Sequence, residues 1–286
     1  MAKQRLSVED ILNKKKRGEK ITMLSAYDYP FASLIDEAGI DIVLVGDSLA
    51  NVVLGLESTR EVGMEVMLPH AKAVNRALKN AMVIGDMPFD SYQLRPNDAL
   101  KNAKRFVEEA GCQAIKLEWF EKCLEVTEEI VRGGISVMGH VGLTPQSADQ
   151  RGGFKVQGKD AQAAEELIEH AKDLQRLGCF SIVLECIPDK IAEMITAELS
   201  IPTIGIGAGV HCDGQVLVTH DLLGLFSRYH PKFVKQYVNL APLIVQAVQQ
   251  YAKEVREGKF PDEEHSFKMK EEEIKKMRST LRLAPP

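Results

Sequence analysis

Seven residues of this 286-residue chain stand where short apolar runs end, a setting that favours chemistry. Asp47 and Ser48 follow residues 42–46, and Asp86 closes 82–86. Lys116 and Glu118 close 114–118, His140 closes 136–140, and Glu185 ends 181–185. Alone, most of them have a plain structural reading. An Asp at a strand end forms turns, and Lys116 and Glu118, two apart on one strand face, make an ion pair. A single histidine is commonly a hydrogen-bonded core residue. Glu185, between Leu184 and Cys186, resists such a reading, because a lone carboxylate in apolar surroundings is costly unless paired or protonated. Gathered at one place, four carboxylates, a lysine and a histidine form a functional set.

Asp and Glu oxygens, without a cysteine cluster or an H-E-x-x-H pair, favour a hard cation such as Mg²⁺. Such an ion accepts a bidentate ligand, and a 2-oxo acid offers a carboxylate oxygen and a ketone oxygen in that geometry. The expected chemistry is removal of the neighbouring proton to give an enolate that the metal stabilises. Lys116 is suited to neutralise the substrate carboxylate or the enolate oxygen. Glu185 and His140 are both candidates for the base.

These residues need a scaffold that brings strand ends together. Runs rich in Val, Ile and Leu recur at 21–26, 42–47, 82–86, 114–118, 136–140, 181–186, 202–207 and 215–220. Most are continuously apolar, as strands buried on both faces of a parallel sheet are. Helix-period sequence separates them, so the expected fold is α/β, a (β/α)8 or TIM barrel, whose catalytic groups sit at the C-terminal strand ends. One helix carries a stripe of Phe31, Leu34, Ile35 and Ala38. Another runs over 69–79, and Asn97 and Asp160 are candidate caps for two more. The link 208–215 is too short for a crossover helix, which predicts a short or missing seventh helix. Residues 7–16 predict an extra N-terminal helix with a Ser7–Asp10 capping box, placed to plug the barrel's other mouth. Residues 239–257 predict an amphipathic helix with Leu240, Ile244, Val248 and Tyr251 on one face. The expected organisation is one barrel domain over 1–260 and a charged tail over 261–286.

Composition excludes several classes. With 36 Lys+Arg against 41 Asp+Glu there is no basic excess for nucleic acid. Five cysteines without C-x-x-C spacing fit neither disulfide staples nor a thiolate zinc site. The charged N-terminus is no signal peptide, and no run reaches the roughly 18 apolar residues of a membrane span. A cytoplasmic location is expected. The Gly205–Gly209 stretch, G-I-G-A-G, is no dinucleotide fingerprint, because no helix and no ribose-binding acid follow it. It marks a close backbone approach near the seventh strand. The long glycine-rich loop 144–159 carries Arg151, Lys155 and Lys159 and is placed to act as a lid.

The sequence also resembles the ketopantoate hydroxymethyltransferase family. The resemblance is carried by Ser25-Ala26-Tyr27-Asp28, Val45-Gly46-Asp47-Ser48-Leu49, Gly85-Asp86-Met87-Pro88-Phe89 and Gly139-His140-Val141-Gly142-Leu143-Thr144-Pro145-Gln146. Lys155-Val156-Gln157-Gly158, Leu184-Glu185-Cys186 and Ile204 to Gly209 add to it, and it runs from about Leu6 to about Ser227. It implies hydroxymethyl transfer from 5,10-methylenetetrahydrofolate to 3-methyl-2-oxobutanoate. It further implies Mg²⁺ at Asp47, Asp86 and Glu118, substrate contacts from Asp47, Ser48, Asp86 and Lys116, Glu185 as proton acceptor, and a homo-oligomer, commonly a decamer. The nearest alternative is a metal-dependent C–C lyase of the phosphoenolpyruvate mutase and isocitrate lyase type, whose K-K-C-G-H-type loop is absent here. A Schiff-base aldolase using Lys116 and a non-catalytic barrel are the remaining alternatives.

Overall fold

The structure is a computed structural model and describes residues 5–93, 95–146, 156–226 and 231–281. The chain divides into two compact units, Met1–Tyr237 and Val238–Pro286.

In the first unit eight parallel strands close into a barrel in chain order, with β8 hydrogen-bonded back to β1. They are β1 (Ile21–Ser25), β2 (Ile42–Val45), β3 (Met82–Asp86), β4 (Ala114–Lys116), β5 (Val137–Gly142), β6 (Ser181–Glu185), β7 (Thr203–Ile206) and β8 (Gly214–Leu217). Each lies within one of the eight apolar runs or overlaps it. The helices of this unit are α1 (Val8–Lys16), α2 (Tyr29–Glu37), α3 (Leu49–Val52), α4 (Met64–Ala77), α5 (Pro96–Glu108), α6 (Cys123–Arg132), α7 (Ala161–Arg176), α8 (Asp189–Glu198) and α9 (Thr219–Leu222). No helix joins β7 to β8, as the short link predicts. The second unit carries α10 (Ala241–Arg256) and α11 (Glu271–Leu281).

The period of two along a strand divides the apolar residues between two cores. Ile42 and Leu44 of β2 and Met82 and Ile84 of β3 pack inside the barrel with Ile21, Met23, Ala114, Met138 and Val183. Val43, Val45, Val83, Ile115, Val137, Ile182 and Leu184 face outward onto the helices. The wholly buried Ile11 of α1 joins the inner cluster beside the first residues of β1 to β4, so this helix closes the N-terminal mouth. Its start carries the Ser7–Asp10 capping box, and Lys14 and Lys15 pair with Asp41 and Asp213 at 2.8 Å.

Three local expectations are corrected. The helix expected over 69–79 begins at Met64, after an extended Gly63, and takes Pro69 into its interior while burying Met67, Leu68, Ala71 and Val74. Asn97 is not a cap, because Pro96 already occupies the first helical position and Arg95 the cap position. Of the expected stripe only Ile35 reaches the core: Leu34 is 63% exposed and Ala38 is exposed, and α2 packs through Ala32, Ile35 and Asp36. The Asp160 cap is present, its side chain accepting from the backbone N–H of Ala163 at 2.9 Å.

Candidate active site

The same alternation that fills the barrel aims its chemistry. The inward series 82, 84 of β3 continues to Asp86, and Ala114 of β4 is followed in the same phase by Lys116 and Glu118. Met138 leads to His140 on β5, and Val183 to Glu185 on β6. A side chain at the end of an inward-facing series projects over the C-terminal mouth. Asp47 and Ser48 reach it differently, from the turn that follows β2.

The structure links most of these side chains into one largely buried network, with Ser48 beside it. Lys116 Nζ lies 2.8 Å from Asp86 Oδ1, which follows from the register that pairs these two residues across β3 and β4. The backbone N–H of Asp47 donates to Asp86 Oδ2 at 3.2 Å. Gln146 donates through Nε2 to Asp47 Oδ2 at 2.9 Å and through its backbone N–H to Glu118 Oε2 at 3.1 Å. Tyr92 in turn donates its hydroxyl to Gln146 Oε1. The hydroxyls of Ser48 and Tyr27 share a hydrogen bond of 2.7 Å. His140 stands between two acids, its Nδ1 3.8 Å from Glu118 Oε1 and its Nε2 3.4 Å from Glu185 Oε2. Its Nε2 contacts the Leu143 carbonyl at 2.8 Å, and because a carbonyl only accepts, Nε2 carries the proton. Nδ1 is buried with no hydrogen-bond partner.

Burial and mutual repulsion set the protonation of the group. Burial pushes Glu185 up to about 8 against the pull of Lys116, with Asp47 and Asp86 raising it further. Burial likewise raises Asp86 to about 6 and Glu118 well above the ordinary carboxylate value. Burial works against the Lys116 ammonium, but Asp86, Glu118 and Asp47 outweigh it and hold its pKa above that of an ordinary lysine. Burial, reinforced by Lys116, drives His140 well below the ordinary histidine value. One ammonium therefore faces four carboxylates.

Such an imbalance would suit a divalent cation. The donors are all carboxylate oxygens, the chemistry a hard cation such as Mg²⁺ takes, and its charge would relieve the raised pKa values. Among the described residues no three His, Cys, Asp or Glu side chains stand gathered as a metal cage. Lys116 and Gln146 hold the carboxylate oxygens instead.

All seven sequence-predicted residues thus meet at one mouth. Gln146 and Tyr92 belong to the network and Tyr27 pairs with Ser48, none of the three being a candidate from the sequence. Gln146 and Tyr27 lie inside motifs of the family resemblance, which is the available signal; Tyr92 lies in none. The Gly205–Gly209 stretch does make close approaches, to protein side chains: a Cβ at Gly207 would lie 2.8 Å from the Phe233 ring, and one at Gly209 2.6 Å from Asp189 Cβ. The lid expected over 144–159 falls largely outside the described residues, Arg151 and Lys155 with it; Lys159 is exposed.

Comparison with known proteins bears on what this mouth is for. The model of the family described as ketopantoate hydroxymethyltransferase matches residues 5–263. The chain belongs to that family. A 3-methyl-2-oxobutanoate hydroxymethyltransferase of Syntrophomonas wolfei subsp. wolfei is 54% identical over 96% of this chain and 99% of its own. The enzyme of the same description from Clostridium botulinum is 56% identical over 92% and 96%. Among solved structures, a phosphonopyruvate hydrolase crystallised with oxalate and Mg²⁺ superposes with TM-score 0.59 and 12% identity, over 97% of both chains. A 2,3-dimethylmalate lyase of the phosphoenolpyruvate mutase/isocitrate lyase superfamily does so with TM-score 0.58 and 14% identity, over 96% and 98%. At that identity these structures speak for the barrel fold alone.

Proposed function

We propose that this enzyme transfers a hydroxymethyl group from 5,10-methylenetetrahydrofolate to 3-methyl-2-oxobutanoate, giving ketopantoate (2-dehydropantoate) for pantothenate biosynthesis. The observation that carries this reading is the shared description of relatives that are more than half identical over nearly the whole chain. The mouth suits the chemistry. In this reading Glu185 takes the C3 proton of the oxo acid, and the resulting enolate carbon bonds to the one-carbon unit of the folate. The bonds from that carbon to N5 and N10 break, water supplies the hydroxyl, and tetrahydrofolate leaves with the proton from Glu185 and one from water on its two nitrogens.

Asp47, Ser48, Asp86 and Lys116 would hold the oxo acid, with Lys116 opposite its carboxylate or enolate oxygen. Asp47, Asp86 and Glu118 would hold Mg²⁺, whose charge, when bound, makes loss of the C3 proton easier. Asp86 keeps the Lys116 amine protonated, which suits an electrostatic partner and opposes a Schiff-base nucleophile. His140, depressed in pKa and with its Nε2–H given to the Leu143 carbonyl, is the weaker candidate for the base.

The test separates the half-reactions. The protein, Mg²⁺ and 3-methyl-2-oxobutanoate are mixed in D₂O without folate, and proton NMR follows the C3 proton. Its loss at a rate well above the protein-free control is expected; no excess loss overturns the reading.

A further inference from the structure

Cys186 has φ +48° and is, among the described residues, the only non-glycine with positive φ. Left-handed backbone is unfavourable for a residue with a Cβ and persists only where the surroundings enforce it, often at functional sites. The position matters because of what lies on either side. On β6, residues 181, 183 and 185 form the inward series, so a strand continuing in phase would turn Ile187 inward as well. Ile187 instead packs in the outer core between strands and helices, 2% exposed. The alternation breaks at Cys186. One left-handed residue ends the strand, leaves Glu185 as the last side chain over the mouth, and sends Ile187 out of it towards Pro188 and the start of α8.

Three hydrogen bonds hold the turn. The N–H of Cys186 donates to the Ile206 carbonyl, that of Gln157 to the Cys186 carbonyl, and that of Leu143 to the Glu185 carbonyl, each at 2.9 Å. A fourth restraint is steric. A Cβ at Gly142, the register partner of Glu185, would lie 2.3 Å from the Glu185 carbonyl oxygen and 2.8 Å from Ile187 Cγ2. The peptides before and after Cys186 are therefore fixed by β5, β7 and the segment at Gln157.

We propose that Cys186 is a positioning residue, whose left-handed backbone aims the Glu185 carboxylate at the reacting carbon and keeps Ile187 out of the mouth. This rests on the reading of Glu185 as proton acceptor. What the position needs is tolerance of left-handed backbone, not a thiol. Glycine and asparagine adopt that region readily, alanine less so, and β-branched residues least.

The test compares Cys186→Gly, Cys186→Asn, Cys186→Ala and Cys186→Val in the full-length protein with Mg²⁺. It reads kcat, the KM for 3-methyl-2-oxobutanoate, and C3 deuterium exchange without folate. Gly and Asn should keep exchange close to wild type, whereas Val should lose about 10- to 100-fold in exchange and kcat, as sub-ångström to ångström misplacement does. KM for the oxo acid should stay within about twofold, since the residues proposed to bind it lie on β3 and β4 and in the turn after β2. A role confined to folding would not produce this split. Where Cys186→Val cannot be purified, Cys186→Thr brings the same β-branch and is judged by the same criterion. Equal exchange in the branched and the Gly variants overturns the proposal. So does a common loss in Gly, Asn and Ala, which would assign the effect to the thiol. Glu185→Gln in the same assay separates the two readings: if it exchanges normally, the proton-acceptor assignment fails whatever the Cys186 series shows.

Discussion

Two residues at the mouth compete for one role, and their surroundings divide them. Glu185 and His140 are 3.4 Å apart at closest approach, and the same burial acts on them in opposite senses. It disfavours the charged form of each, so the carboxylate becomes a stronger base and the imidazole a weaker one. Glu185→Gln, nearly isosteric, is therefore expected to lose C3 deuterium exchange by about 10²-fold or more while still binding Mg²⁺ and oxo acid. A proton acceptor works ionised. With a folded pKa raised to about 8, exchange should climb with pH through that region, and at lower pH once a bound cation adds positive charge. If Glu185→Gln exchanges at the wild-type rate while His140→Asn does not, the two roles are reversed. Asp86 carries the second residue-scale prediction. Chelator should abolish activity and Mg²⁺ restore it, and Asp86→Ala should raise the Mg²⁺ concentration for half-maximal activity steeply with the circular dichroism spectrum unchanged. Full activity after metal stripping would refute the metal assignment.

At the scale of elements, the strands are aimed by fixed junctions, and the one before β3 is the clearest. The buried Asp36 of α2 accepts from the backbone N–H groups of Lys79, Asn80 and Ala81 at 3.0, 2.9 and 2.7 Å. It thereby ties α2 to the entry of the strand that ends in Asp86. Burial alone would raise its pKa, but these hydrogen bonds outweigh burial and lower it. A lowered pKa means stabilisation present above the unfolded value of about 3.9 and lost as pH falls through the folded value. Asp36→Ala should cost about 1–3 kcal/mol in denaturant unfolding at pH 7, since it strands backbone donors. The gap to wild type should narrow in acid; a gap independent of pH would show that the carboxylate's charge is irrelevant. The loop 144–159 carries a different expectation. Neutralising Arg151, Lys155 and Lys159 together should raise the KM for methylenetetrahydrofolate, whose glutamate tail is anionic, and more so at low salt. Oxo-acid exchange should change little, and equal damage to both half-reactions would mark a structural loop.

At the scale of the whole molecule, α10 poses a packing question. Within its own compact unit the helix buries none of its residues, and Leu243, Val245, Val248 and Tyr251 are each more than half exposed there. Exposed apolar side chains in such number normally mark an interface. We expect a homo-oligomer in solution, with the decamer implied by the family resemblance as its size. Light scattering should report a stable assembly for the full chain, and Val245→Lys with Val248→Lys should shift it to smaller species. A monomeric wild type at micromolar concentration would rule this out. Among the described residues no helix is long and apolar enough to cross a membrane.

The eight strands and the mouth residues were legible in the sequence because both signals are local. A continuous apolar run is a buried strand wherever it occurs, and a polar residue at its C-terminal end in inward phase must project over the mouth. The family motifs extended that reading to a substrate. What remained hidden depends on partners far away in the chain. Gln146 meets Asp47 from 99 residues off, so nothing around either residue announces the contact. The raised pKa of Glu185 follows from its place at the end of an apolar strand, but the lowering of His140 by burial and Lys116 depends on neighbouring strands and is not visible from the residue types. Pro69 and Asn97 mislead as helix starts because these are settled by competing local signals, an extended Gly63 in one case and Pro96 in the other. Cys186 shows the division most clearly. Its place after Glu185 is plain in the sequence, but its left-handed turn exists only because β5, β7 and Gln157 hold the peptides on both sides of it.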